Sequence, residues 1–171
     1  MIFSDGGISS QISFHALGLS FEKRGYEVKY DLQWFREHGK DLNGQFNRSF
    51  VMDKAFPSFD IKIAAPEEAK AFYKKYYQKH YDFEHPRTKL YIRGYQNRIE
   101  RFTEYQDVFV KNFNPVDKDL CADILTEIQT TNSCAVHVRR GDLANFDPIY
   151  GNPTSVEYFI NAIKIIRALN G

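Results

Sequence analysis

The stretch CAVHVRRGDLANFD, residues 134–147, combines an apolar run with a histidine, two adjacent arginines and nearby carboxylates. Such charged side chains are costly to bury unless opposite charge meets them, so they need a carboxylate or an anionic ligand as partner. Alternation along a strand would place His137 and Arg139 on one face and Arg140 on the other. Arginine offers a planar fork that matches phosphate oxygens, an imidazole can donate beside it, and the following glycine lets the backbone turn closely around a ligand. The stretch therefore predicts a diphosphate cradle, with Asp142 holding one arginine in position by a salt bridge.

Two other interpretations of the same residues stay open. Arg139 or Arg140 could simply pair with Asp142 while His137 is a hydrogen-bonded core residue, because structural ion pairs also occur at strand ends. The tripeptide Arg140-Gly141-Asp142 also spells a cell-adhesion motif, although three-residue matches are frequent by chance.

The elements that would position these residues alternate between strand and helix. The opening MIFSDGGISSQISFHALGLSFEKRGYEVKYDL predicts strand, glycine loop, helix and strand, and LYIRGYQ, residues 90–96, predicts a further strand. Cys134–Val138 predicts another strand, followed by a helix capped by Thr154 or Ser155. This alternation is typical of an α/β fold with a largely parallel, Rossmann-like sheet. In such sheets ligands bind beyond the carboxyl ends of the strands, which is where the charged residues fall.

Other helices are predicted from apolar spacing and end signals. Pro66 opens a helix that runs to Tyr81, and Leu120, Ile124 and Ile128 recur at helical spacing. In the first of these, FYKKYYQKHYDF is both aromatic and basic. This favours an amphipathic helix that packs its tyrosines and leaves its lysines in water over a platform that stacks bases or sugars. In the last predicted helix the apolar spacing indicates a buried face, formed by Tyr158, Phe159, Ala162, Ile163, Ile166 and Leu169.

Composition restricts the class of protein. The 171 residues suffice for one domain, or for one small domain and part of another. A net charge of +1 gives no global field that recruits nucleic acid or anionic lipid, so an anion site must be local. Cys121 and Cys134 lack metal-ligand spacing and predict reduced, buried thiols. With no apolar run of membrane length and no signal peptide, the sequence predicts a cytoplasmic protein.

Several segments resemble one known family. HVRRGD, residues 137–142, is similar to the H-x-R-R-x-D signature of α1,2- and α1,6-fucosyltransferases. The opening resembles the GGLGNQMFQYAFG start of the α1,2 enzymes of glycosyltransferase family 11, and LYIRGYQNRIERF resembles their LYLEGYWQSEKYF segment. YGNPTSVEYFINAIKII is similar to the helix after their arginine motif. These likenesses occur in the family's order over most of the chain.

The resemblance implies a GT-B-like fold of two facing Rossmann-type domains, with an acceptor-side domain over residues 1–131 and the start of a GDP-fucose-binding domain, left incomplete, over residues 132–171. It implies transfer from GDP-fucose with inversion and without a metal or other cofactor. Donor-binding residues would be His137, Arg139, Arg140 and Asp142, with Gly6, Gly7 and Gln11 near the bound sugar in the cleft. Catalytic residues would be Arg139 and Arg140, which meet the charge on departing GDP, and Asp147, which could serve as base.

The resemblance also implies partners. The acceptor would be a β-galactoside in bacterial surface-polysaccharide synthesis, and a lipid-linked acceptor would allow peripheral association with the inner face of the membrane. Oligomers are compatible with this reading, because exposed edge strands could pair with a second chain. One departure concerns specificity, since Gly7-Ile8-Ser9-Ser10-Gln11 replaces the family's G-L-G-N-Q. Two alternatives therefore stand: a truncated or inactive relative that acts as a binding module, and a transferase that uses another nucleotide sugar.

Overall fold

The computed structural model describes residues 1–40, 47–94, 99–114, 122–138 and 155–170, and they form a mixed α/β fold. The elements are β1 (Ile2–Phe3), α1 (Ile8–Glu22), β2 (Tyr30–Asp31), α2 (Gln33–Glu37), α3 (Met52–Ala55), α4 (Pro66–Tyr76), α5 (Ile99–Asn112), α6 (Ala122–Thr130) and α7 (Val156–Asn170). The chain divides into two compact units, Met1–Val116 and Asp117–Gly171.

The sheet of the first unit is parallel, as the sequence predicts. β1 pairs with β2, with Ile2 opposite Tyr30 and Phe3 opposite Asp31. Single parallel bridges join Ile2 to Ile92 on the other side of β1 and Tyr30 to Ile63 beyond β2. The chain therefore builds outward from β1 to residue 63 and then returns to the opposite side of β1. The strand order changes direction between β1 and residue 92.

Helix α1 forms the centre of the first unit. The sequence predicts its start after the glycine loop and its end at Gly25, and both are confirmed: the Gly25 N–H donates to the Glu22 carbonyl and the Tyr26 N–H to the Phe21 carbonyl, with Gly25 at φ 84°. The helix is buried on more than one face because it lies between two apolar layers. The layer against the sheet contains Ile2, Phe14, Leu17, Phe21, Val28, Tyr30, Leu32, Leu90 and Ile92. The layer against α3 and α5 contains Ala16, Met52, Ala55, Phe56 and Phe109.

The opposite face of the sheet carries a different set of side chains. Because side chains alternate, Phe3 and Asp31 point away from the face that Ile2 and Tyr30 present to α1. Helix α4 lies toward this second face, where the Tyr73 ring meets the Tyr91 ring edge to face at 5.1 Å.

Two elements are shorter than predicted, for reasons of tertiary pairing. The helix from Pro66 ends at Tyr76 instead of Tyr81, because Tyr77 turns to extended backbone and bridges Tyr91. The strand predicted over residues 26–31 pairs only at its end, in β2.

The second unit departs most from the sequence-based expectations. Ser155 caps α7 as predicted, with its Oγ accepting from the Tyr158 N–H at 3.3 Å. The predicted buried face of α7 is wrong, since Tyr158 is 61% and Leu169 78% exposed. An apolar stripe is buried only when another layer packs on it, and the described residues of this unit supply no such layer.

The stretch before the arginine motif also lacks a strand partner among the described residues. Residues 132–138 form no strand pairing with the described part of the chain, so the strand predicted over Cys134–Val138 is not observed. Cys134 is exposed, which corrects its prediction as a buried thiol. Cys121 lies outside the described residues. The units divide between Val116 and Asp117, earlier than the predicted boundary at 131/132, and the roles assigned to the two domains stay predictions.

Candidate functional site

The glycine loop leaves the carboxyl end of β1 and leads directly into α1. Gly6 has φ 74°, a left-handed conformation that disfavours any side chain, whereas Gly7 has extended backbone at the N-cap of the helix. The guanidinium of the half-buried Arg48 lies 4.0 Å from the position that a Cβ on Gly7 would occupy. A cation therefore stands beside the positive end of the α1 dipole, and the same loop carries the carboxylate of Asp5.

Gln11 braces this loop from inside the protein. Its Nε2 donates to the carbonyl oxygens of Gly6, at 3.1 Å, and Ser49, at 2.9 Å, and its Oε1 accepts from the Val51 N–H at 2.9 Å. The side chain is buried, so these three bonds tie the loop to the 49–51 segment. Its observed contacts are thus with the backbone, and the prediction that it lies near a bound sugar stays a prediction.

A buried polar network that the sequence analysis missed lies at the end of β2. Asp31 accepts hydrogen bonds from the Tyr91 hydroxyl at 2.6 Å and from the Gln33 N–H at 2.8 Å, and Arg36 contacts it at 3.4 Å. Burial and the adjacent Asp31 carboxylate raise the pKa of Tyr91 above its ordinary value, so the phenol stays protonated and donates. The carboxylate serves the fold, and the available signal was an Asp at the carboxyl end of a strand.

A pocket of about 190 Å³ opens beside this network, on the sheet face opposite α1. Phe3 and Tyr91 from the strands line it, and Trp34 from α2 and Tyr73 from α4 contribute aromatic rings. Its polar lining is Gln33, Glu37, His38 and Arg93. The pocket joins the end of β1 to the end of the strand segment at 91–92, which is the point where the strand order reverses. Open α/β sheets bind ligands at such a point.

Of the predicted donor-binding residues of the second unit, His137 lies within the described residues. His137 is exposed, as are Val136 and Val138 on either side of it. Arg139, Arg140, Asp142 and Asp147 lie outside the described residues. The choice between a diphosphate cradle and a structural ion pair at these positions therefore stays open.

Comparison with known proteins decides the family. The family model described as glycosyl transferase family 11 matches residues 52–170, which is most of the chain. The chain belongs to glycosyl transferase family 11. This confirms the resemblance drawn from the motifs, and the matched range includes HVRRGD, whereas the glycine loop precedes it.

Among curated proteins, the alpha-1,2-colitosyltransferase of Escherichia coli is 26% identical over 182 residues, an alignment that covers 95% of this chain and 62% of that protein. The family 11 chain thus spans under two thirds of the length of this relative. No solved structure matches this chain.

The described residues contain neither a candidate membrane-spanning helix nor a candidate metal cluster. No helix among them has the length and apolar character needed to cross a bilayer. Within the same residues, no group of three or more His, Cys, Asp or Glu side chains is arranged to hold a metal ion.

Proposed function

We propose that this family 11 chain is part of an enzyme that transfers fucose from GDP-fucose to the 2-hydroxyl of a β-galactoside, with inversion and without a metal ion. The observation that carries the proposal is the family match over residues 52–170, which includes the HVRRGD stretch. The name of the colitosyltransferase supports an α1,2 linkage. The GT-B-like arrangement of two Rossmann-type domains belongs to the same proposal.

The arginine motif would hold the donor. Arg139 and Arg140 are the guanidinium donors for the diphosphate, His137 adds a further donor, and Asp142 orients one arginine. When the bond to the sugar breaks, negative charge builds on the departing GDP. Without a divalent ion this charge must be met by the arginines, and stabilisation of developing charge is usually a large catalytic contribution.

Two further roles complete the proposed site. Asp147 takes the proton from the acceptor hydroxyl as general base. The loop at Gly6 and Gly7 approaches the sugar, and Gln11 holds that loop through its backbone contacts.

The cellular setting follows from the acceptor. A β-galactoside in an O-antigen or capsule repeat would be met in the cytoplasm, on a lipid carrier at the inner face of the membrane. The protein would then associate with the membrane peripherally.

The direct test measures binding and transfer in the 171-residue chain and in any longer protein that contains it. GDP and GDP-fucose are titrated calorimetrically with a chelator present, and transfer to a β-galactoside is followed by product analysis. We expect chelator-insensitive micromolar binding and transfer in the longer protein. Loss of both with Arg139→Ala, but not with Arg167→Ala on the exposed surface of α7, would support the cradle. No binding in either protein would overturn the donor assignment and favour the binding module.

A second donor is favoured by one specific observation. The printed name of the Escherichia coli relative gives colitose as the sugar transferred, and this chain departs from the family's glycine loop at Ile8-Ser9-Ser10. Competition between GDP-fucose and GDP-colitose for one acceptor decides between the donors. A product that carries colitose alone would replace fucose in the proposal and leave the reaction type unchanged.

A further inference from the structure

We propose that the pocket between α2 and α4 binds one neutral hexose ring of the acceptor glycan. The inference rests on the proposed function, since it assigns the acceptor to a place on the first unit.

The aromatic side chains give the pocket an apolar surface suited to a sugar. Trp34 is half-buried and Tyr73 is 37% exposed, so each ring has one part packed and one part open to the pocket. Phe3 and Tyr91 are almost fully buried and close the base. Small-molecule sites combine such apolar walls with a few placed polar groups. The C–H face of a hexose would pack on the rings while its hydroxyls reach the polar groups.

The polar groups of the pocket supply an acceptor, Glu37, and a set of donors, Arg93, for the hydroxyls of a sugar. Glu37 Oε1 accepts from Gln33 Nε2 at 2.8 Å, which fixes the carboxylate and leaves its second oxygen for a ligand. The Arg93 guanidinium lies 4.6 Å from the centroid of the Phe3 ring, so it is held by a cation–π contact. A planar guanidinium can donate to two neighbouring groups at once, and the second oxygen of the Glu37 carboxylate can accept from one more hydroxyl.

The charge of the pocket argues for a neutral ligand. The lining carries one carboxylate, Glu37, and one guanidinium, Arg93, both exposed, together with the imidazole of His38. A diphosphate would require an excess of cations and would be repelled by the carboxylate. The carboxylate therefore disfavours the donor's diphosphate as the occupant.

The volume and the position of the pocket fit a single sugar ring. The pocket, at about 190 Å³, is smaller than the roughly 300–1,000 Å³ that drug-sized ligands occupy, so it suits one ring better than a whole nucleotide sugar. Another cavity, of about 60 Å³ near Met1 and Leu90, lies at the opposite end of the strands and is too small. A charged recess lies between α1 and α5. Two of its charged groups already pair with each other, because Lys23 donates to Glu104 at 2.6 Å.

The sequence offers a reporter at this site. Trp34 is the only tryptophan in the chain, so fluorescence excited where tyrosine does not absorb reports on the pocket alone. Methyl β-galactoside, GDP and inorganic diphosphate are titrated separately into the 171-residue chain. We expect a saturable change with the galactoside at millimolar concentration and no saturable change with diphosphate. No saturable response to the galactoside, or a tighter response to diphosphate, would overturn the assignment.

Matched variants separate sugar contacts from damage to the fold. Glu37→Gln keeps the shape but removes the charge, and we expect roughly tenfold or greater loss of galactoside affinity. Tyr73→Ala should also weaken binding. The controls Glu67→Gln, on the exposed start of α4, and Tyr158→Ala, 61% exposed in the second unit, should bind the galactoside as the unaltered chain does. Equal affinities in all four variants would place the sugar elsewhere.

A final comparison distinguishes failure of the pocket from failure of the proposed function. Arg139→Ala should abolish GDP binding in a longer protein and leave the Trp34 response to galactoside intact. Glu37→Gln should weaken the Trp34 response to galactoside and leave GDP binding intact. Galactoside binding without any GDP binding would retain the pocket and reject the transferase, whereas GDP binding without a Trp34 response would reject only the pocket.

Discussion

Gly18 of α1 lies against the phenol of Tyr30 on β2: a Cβ on Gly18 would stand 1.9 Å from the Tyr30 hydroxyl oxygen and 2.9 Å from its Cζ. The helix approaches the sheet this closely only because the glycine has no side chain. The same phenol forms a 2.9 Å hydrogen bond with His15 Nδ1, one turn earlier on α1. These contacts set the height of α1 over β1 and β2, and with it the position of the glycine loop at the start of the helix.

Gly18→Ala should therefore destabilise the chain, against the usual trend. Alanine inside a helix is ordinarily about 1 kcal/mol more favourable than glycine. Here the added methyl meets a rigid buried ring, and we expect a net loss of about 1–3 kcal/mol in the free energy of unfolding, measured in urea. The double variant Gly18→Ala, Tyr30→Phe should recover part of that loss, because it removes the oxygen at 1.9 Å. A stabilised Gly18→Ala chain would contradict this packing.

His15 should make the stability depend on pH. Burial lowers the pKa of His15 from 6.5 to about 4, and its Nε2 has no hydrogen-bond partner among the described residues. Between these two pH values the unfolded chain binds more protons than the folded chain, so the stabilisation is complete above about pH 6.5 and is lost as the pH falls toward 4. The full effect is on the order of 3 kcal/mol.

The measurement is urea unfolding across this pH range for the unaltered chain and for His15→Phe. The substitution keeps a ring against Phe59, whose ring stacks on that of His15 with the centroids 4.8 Å apart. Every other ionisable group is common to both proteins, so the difference between the two curves isolates His15. We expect the unaltered chain to lose more stability between pH 6.5 and 4. Parallel curves would show that His15 takes up its proton without cost.

Tyr91→Phe should weaken the buried network at the end of β2. It removes the 2.6 Å donor to Asp31 and leaves a carboxylate oxygen buried without that partner, at an expected cost of about 1–3 kcal/mol. Arg36→Ala should cost less, because Arg36 is 3.4 Å from Asp31 and its side chain is 38% exposed. Chemical denaturation of both variants tests the order, and a larger loss with Arg36→Ala would reverse the assigned importance.

Gln11→Glu should be more destabilising than Gln11→Ala at neutral pH. The amide nitrogen faces the carbonyl oxygens of Gly6 and Ser49, and a carboxylate there would face them without a proton to donate. We expect losses of about 1–3 kcal/mol for the alanine and more for the glutamate. Because a protonated glutamate can donate once, the glutamate variant should regain stability at acid pH, relative to Gln11→Ala. Thermal unfolding at two pH values checks this, and equal stabilities of the two variants at both would disprove it.

Local signals explain which elements could be predicted. The glycine loop, the start of α1 and its end at Gly25 depend on residues within a few positions of each other, and all three are confirmed. Pro66 and its two following glutamates likewise mark the start of α4. The end of α4 could not be predicted, because Tyr77 leaves the helix to pair with Tyr91, which lies far along the chain.

The α/β class, the parallel start around β1 and the family could be inferred from the sequence alone, because periodicity, turn residues and the HVRRGD motif lie in short stretches. The tertiary structure was needed to show that Asp31 accepts from Tyr91, that Gln11 donates to the loop backbone, and that Trp34, Tyr73 and Arg93 share one pocket. It also decided that the apolar face of α7 is open. The physical reason is that hydrogen-bond partners and covering layers come from segments distant in sequence, which no local pattern specifies.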